Sequence, residues 1–218
     1  MASRAERQFI VAVVAAVWLV LAVFTGQQLT PAPLRLYSVA ASAVALLAVA
    51  YEHYVWRWRL VRRLTAVPVL AGTWRGKITS SFTDASGNRM APVAAAIQVA
   101  QTASTITITM LTEESLSLST EARLVRLPDK RWQLTWSYDN TPRTEHRGHS
   151  EPHRGSASAA VGARNDEALV GSYYTDRLTR GEIRFQEWSA TRYGTAEAAL
   201  QATDFARPRP FVQRRSQP

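Results

Sequence analysis

The chain has 218 residues, a formal charge of +9 and no cysteine; the length holds one domain or two small ones, and the missing thiols exclude a disulfide framework, a thiolate metal site and a cysteine nucleophile. Residues 1–67 carry seven arginines against two acids, residues 190–218 carry five against two, and the section between holds 14 basic and 13 acidic residues. A duplex-binding protein needs a basic face on its folded part, which that balanced middle does not supply. The excess sits instead where it meets anionic lipid, at about 1 kcal/mol per residue near the surface.

No charge occurs from Gln8 to Leu34, and residues 9–24 are an almost unbroken apolar run, close to the ~20 residues a helix needs to cross the hydrocarbon. Arg4 and Arg7 precede it as in a secretory leader. The run is long for that role, and Val23-Phe24-Thr25-Gly26 is a poor cleavage site, so a retained span is expected. Residues 26–33 read as a turn with Pro31 and Pro33 as breakers. A second span is expected from Ala32 or Leu34 to Tyr51, with Arg35 snorkelling at its far end. Its small residues, among them Ala41 and Ala45, suit close helix packing in lipid, within one chain or between protomers.

Tyr51, Tyr54, Trp56 and Trp58 then interleave with Arg57, Arg59, Arg62 and Arg63. Amphipathic rings favour the headgroup layer, and arginines mark the cytoplasmic side. A multi-pass protein of the inner membrane is expected, with both termini cytoplasmic and a very short outer loop.

From Pro68 the pattern changes to short alternating runs. Eight strands are expected, near 72–83, 92–101, 104–111, 116–127, 131–139, 154–162, 167–175 and 180–188. In the fifth, Trp132, Leu134, Trp136 and Tyr138 face away from Arg131, Gln133, Thr135 and Ser137. The fold class is therefore two N-terminal transmembrane α-helices followed by an all-β domain, a small antiparallel eight-strand up-and-down β-barrel. Residues 1–67 form the helical hairpin and junction, 68–189 the cytoplasmic barrel, and 190–218 a basic, partly disordered tail in which 194–202 has helical composition.

Catalytic patterns are weak. His146, His149 and His153 share a polar loop with Glu145 and Glu151, but structural metal sites recruit ligands from ordered elements, and no metal or cofactor is expected. No Gly-x-Ser-x-Gly elbow or phosphate-cradling glycine loop is present. Binding has better candidates. Tyr138, Asn140 and Arg143 cluster at the end of the fifth strand, Tyr174, Thr175 and Arg177 lie where the last two strands connect, and Thr112 and Ser115 open a row of hydroxyls. Aromatics that stack on bases, arginines for phosphates and hydroxyl or amide groups make a nucleotide pocket; the alternative is that Tyr138 and Tyr173 are core and Arg177 pairs at the surface.

The order of these stretches carries a resemblance. Two spans precede an arginine- and tryptophan-rich junction, then Pro68-Val-Leu-Ala-Gly-Thr-Trp-Arg-Gly-Lys77, Ile97-Gln-Val-Ala-Gln-Thr102, the hydroxyl run at 112–119, Tyr138-x-Asn-x-Pro142, His153-Arg-Gly155 and Leu169-Val-Gly-Ser-Tyr-Tyr-Thr-Asp-Arg177. Over residues 8–188 this resembles the bacterial CBASS effectors with two transmembrane helices and a small β-barrel, the SMODS-associating two-transmembrane β-rich effectors. The resemblance implies a non-enzymatic anti-phage receptor whose barrel senses a cyclic dinucleotide. Binding would drive homo-oligomerisation and membrane disruption, with the bilayer as partner and no nucleic acid polymer. It implies Thr112, Ser115, Tyr138, Asn140, Arg143, Tyr174, Thr175 and Arg177 as ligand-binding residues. Two rivals stand beside it. One is an anchored barrel for lipid or another apolar ligand, with a large apolar cavity and no arginine at its mouth. The other is a structural or interaction protein whose barrel is filled by its own side chains.

Overall fold

The computed structural model describes residues 31–82, 87–146, 151–162 and 168–207. It divides into two units, Met1–Val67 with Thr102–Thr105, and Pro68–Gln101 with Ile106–Pro218.

In the first unit, helix α1 covers Pro31–His53. Pro31 and Pro33 fall in its first turn, where a missing backbone N–H costs nothing. Leu46, Leu47 and Val49 on α1 are 71, 69 and 57% exposed. Glu52 accepts hydrogen bonds from the hydroxyls of Thr102 and Ser104, the latter at 2.6 Å. A single 3-10 turn, Val55–Arg57, leads into the short helix α2, Arg59–Thr65. Ala66, at φ 55°, ends α2 by donating its N–H to the Arg62 carbonyl. Trp56 is buried, with the Arg57 guanidinium 5.3 Å from its ring centre, whereas Tyr54 and Trp58 are exposed. The first expected span and the side chains of residues 31–39 lie outside the described residues. Among the described residues no helix is long and apolar enough to cross a membrane.

The second unit is a closed barrel of eight strands, each antiparallel to the next, with the last paired to the first. The strands are β1 (Gly72–Ser80), β2 (Val93–Gln101), β3 (Ile106–Leu111), β4 (Ser115–Arg126), β5 (Trp132–Pro142), β6 (His153–Val161), β7 (Leu169–Thr175) and β8 (Arg180–Ser189). All eight expected strands form. Closure leaves no free sheet edge, and register shifts at Arg75/Gly76 and Ser119/Glu121 supply the local bends that a closed sheet requires.

The core consists of the inward-facing alternate residues, including Ile97, Val99, Leu134, Leu169, Ile183 and Phe185. One end of the barrel is sealed. Leu70 and Trp74 are fully buried there, and the Trp74 indole donates to the Leu70 carbonyl at 2.8 Å. The Gln101 amide accepts from the Leu70 N–H at 2.7 Å and donates to the Pro68 carbonyl at 3.1 Å. Four connections gather at the opposite end: β1–β2, β3–β4, β5–β6 and β7–β8. That end is the mouth.

Residues after β8 belong to the barrel unit. Thr195 caps helix α3 (Ala196–Gln201), accepting from the Ala198 N–H, and Ala196 and Ala199 are buried. Arg75, on the outer face of β1, fastens this segment. It pairs with Glu187 at 2.7 Å, donates to the carbonyls of Leu200 and Ala202 at 2.9 Å, and lies 4.3 Å from the Phe205 ring centre. Asp204 accepts from Ser189 and Thr191 at 2.7 Å and from the Tyr193 hydroxyl. These bonds, the tyrosine's foremost, lower its carboxyl pKa to about 2. The arginine-rich end of the tail, residues 208–218, lies outside the described residues.

Candidate ligand-binding site

Strand register assembles the site in rows that cross the sheet. Asn140 on β5 lies between Ser117 on β4 and His153 on β6. Two residues deeper, Tyr138 lies opposite Gly155, and the next inward row places Trp136, Ala157 and Tyr173 side by side. Because side chains alternate across a strand, these residues all point into the barrel. Of these, Asn140, His153, Tyr138, Trp136, Ala157 and Tyr173 line a cavity of about 170 Å³ at the mouth end, with Ile78, Met110 and Ile183 as apolar wall and Glu114 and Arg177 at the opening. Gly155 makes room for the tyrosine: a Cβ there would lie 2.4 Å from Cζ and the hydroxyl oxygen of Tyr138.

The polar wall is a connected chain of groups. The Ser115 N–H donates to Thr112 Oγ1 at 3.0 Å, and the Thr112 hydroxyl donates to the Ser115 carbonyl at 3.2 Å. The Asn140 amide nitrogen donates to Ser115 Oγ at 2.9 Å and to Ser117 Oγ at 2.7 Å. Both amide hydrogens are thereby used. Its carbonyl oxygen, Oδ1, is buried and has no partner among the described residues, although Asn140 as a whole is only 6% exposed. An acceptor withheld from water and left unpaired costs about 1–3 kcal/mol, and Asn140 is one of the residues that line the cavity.

Two titratable groups share the cavity wall with Asn140. Burial raises the Tyr138 phenol far above its usual range, so it remains a neutral hydroxyl. Burial, reinforced by the Arg177 charge, lowers His153 below its usual value. Its Nδ1 lies 3.2 Å from the Glu151 carbonyl; a carbonyl only accepts, so Nδ1 carries the hydrogen and Nε2 is an acceptor. The site therefore presents a phenol donor, two nitrogen or oxygen acceptors, aromatic walls and a guanidinium at the rim.

Of the eight residues singled out in the sequence, Thr112, Ser115, Tyr138, Asn140 and Arg177 line this cavity. Arg143, Tyr174 and Thr175 do not. Arg143 is exposed at the mouth, where its N–H donates to the Glu114 carbonyl at 2.8 Å. Tyr174 is 65% exposed on the outer face. Thr175 faces inward, but its hydroxyl is bonded to Thr179 Oγ1 at 2.6 Å. Sequence reasoning missed Trp136, His153 and Tyr173 as lining. The signal for Tyr173 was parity: with buried Leu169 inward, 171, 173 and 175 must follow. Of the histidine cluster, His149 lies outside the described residues, and among the described residues no group of side chains is placed to hold a metal.

A closed antiparallel barrel with a packed floor and a cavity of mixed polarity at its mouth has room to hold a small molecule. Residues 65–187 match the family described as Cap15, cyclic dinucleotide receptor domain. The chain belongs to this family, a cyclic-dinucleotide-sensing effector type of CBASS systems. No curated protein matches the chain.

Proposed function

We propose that this chain is a membrane-anchored effector whose barrel mouth binds a cyclic dinucleotide, and that binding drives assembly of the anchors and disruption of the inner membrane of an infected cell. The observation that carries the reading is a mouth cavity lined by Trp136, Tyr138 and Tyr173, by Asn140, whose buried Oδ1 has no partner among the described residues, and by Arg177. A nucleobase N–H satisfies such an acceptor, the aromatic rings offer stacking surface, and the guanidinium suits a phosphodiester. The assembly step is supported by α1, whose exposed Leu46, Leu47 and Val49 need lipid or another helix to cover them. Thr112, Ser115, Tyr138, Asn140 and Arg177 are the contacts in the cavity; Arg143, Tyr174 and Thr175 contribute at the rim.

The lipid-carrier reading asks for a large apolar cavity without arginine at its mouth, and the purely structural reading asks for a filled barrel. A small cavity of mixed polarity with an arginine favours neither. The test is the melting temperature of the full chain in detergent against cyclic di-AMP, cyclic di-GMP, cyclic di-UMP and the mixed purine–pyrimidine ring. A ligand that binds only the folded state raises its stability by mass action. A saturable rise with one member supports the reading; flat traces from folded protein across the panel refute it.

A further inference from the structure

The cavity is too small for the ligand it is read to bind, and this inference rests on that reading. Pockets that bury a drug-sized molecule run to roughly 300–1,000 Å³, against about 170 Å³ here. A cyclic dinucleotide consists of two bases on a ring of two sugars and two phosphates. One base fits between Trp136, Tyr138 and Tyr173 and meets Asn140. The phosphates and the second base remain outside.

The mouth is built to be covered. Leu178, in the β7–β8 turn, is 93% exposed and holds φ 60°, a left-handed conformation that a bulky non-glycine residue rarely adopts. The turn thus holds an apolar side chain out in solvent. Phe82 and Met90, in the β1–β2 connection, are 48% and 41% exposed, and Tyr174 beside the same rim is 65% exposed. Charges of both signs accompany them, Arg177 and Glu114 at the opening. A two-fold contact requires a surface complementary to itself, which an apolar rim carrying both signs provides.

We propose that one cyclic dinucleotide is shared by two barrels that meet mouth to mouth, with one base in each cavity and the Leu178 rims in contact around it. The second copy completes the site by enclosing the half of the ligand that the described residues of one barrel leave outside. Ligand binding and pairing then become one event.

The experiment titrates the full chain, in detergent, with the member of the cyclic dinucleotide panel that raises its melting temperature, by calorimetry and by sedimentation. The expected stoichiometry is one ligand per two chains. Pairing should be maximal near that ratio and fall at roughly 100-fold ligand excess, when each mouth takes its own molecule. Leu178→Asp should move the stoichiometry to one per chain and weaken affinity about 100-fold or more, with the melting temperature of the unliganded protein held or raised. One ligand per chain in the unaltered protein, or pairing that survives both excess ligand and Leu178→Asp, overturns the sharing while leaving the receptor reading intact. Absence of binding by every panel member overturns the receptor reading and the sharing with it.

Discussion

Replacing Asn140 with leucine, a near match in size, separates a binding role from a structural one. In the unliganded barrel the asparagine makes two hydrogen bonds, to Ser115 and Ser117, worth about 0.5–1.5 kcal/mol each. Against these stands the unpaired Oδ1, which costs about 1–3 kcal/mol. The two sums nearly cancel, so Asn140→Leu should change folding stability by no more than about 1 kcal/mol. Liganded protein differs. The base N–H that met Oδ1 now faces a methyl group, and the loss is about 1–3 kcal/mol, roughly five- to 150-fold in Kd. Urea unfolding gives the first quantity and isothermal titration with the panel member that binds gives the second. Wild-type affinity in the leucine variant refutes the assignment of Oδ1 to the ligand. Intact affinity combined with a stability loss beyond about 3 kcal/mol would show that Asn140 is a structural strut.

Other perturbations test other parts of the argument. Gly155→Ala places a methyl group 2.4 Å from the Tyr138 ring; the ring must swing into the cavity, costing about 1–3 kcal/mol of stability and the ligand's room, both readable by melting with and without ligand. Arg177→Ala should weaken binding and flatten its salt dependence, which titration at low and high ionic strength checks. The folded-state pKa of His153 lies below its usual 6.5, so the unfolded chain binds more protons there and stability falls as pH drops through the unfolded value toward the folded one. An anionic ligand favours the imidazolium, so its affinity should rise over that same descent; affinity independent of pH in that window removes His153 from the site. Arg75→Ala should free the segment after β8, at about 2 kcal/mol, and expose it to limited proteolysis. Leu in place of Ala41 or Ala45 should impair killing while leaving ligand affinity unchanged, and full toxicity from both variants would refute packing through that face.

Much of the barrel was legible because its strands alternate. Trp132, Leu134, Trp136 and Tyr138 announced one buried face, and closure followed from eight such runs without a long helix between them. The site was only half legible, for a physical reason. Parity tells which way a side chain points, but the depth at which the core stops and a cavity begins depends on which residues lie abreast on neighbouring strands. Tyr138 and Gly155 are paired by register, and no property of either residue alone reveals it. The orphaned oxygen of Asn140 required the third dimension too, since serines two residues apart on β4 had to be placed beside one amide. The segment after β8 read as an alanine-rich helix attached to a basic tail; that Arg75, more than a hundred residues earlier, fastens it is a long-range fact.

The sharing of a ligand between mouths also has to be sufficient in magnitude. A ligand shifts an equilibrium only by its differential affinity for the two states, and turning a 1:99 population of pairs into 99:1 requires about 5.5 kcal/mol. Stacking the second base contributes about 1–3 kcal/mol, and its bond to the partner's Asn140 about as much again. Covering two Leu178 side chains, each nearly bare in the single barrel, adds about 1.5–3 kcal/mol apiece. The total is about 5–12 kcal/mol, so its upper part meets the requirement; the lost freedom of the second chain is a further cost, which anchoring in a membrane would reduce. A receptor that enclosed its ligand completely would have to obtain the same difference from loop movement. In such a receptor Leu178 contributes nothing to assembly, and Leu178→Asp would pair at the same ligand concentration as the parent chain.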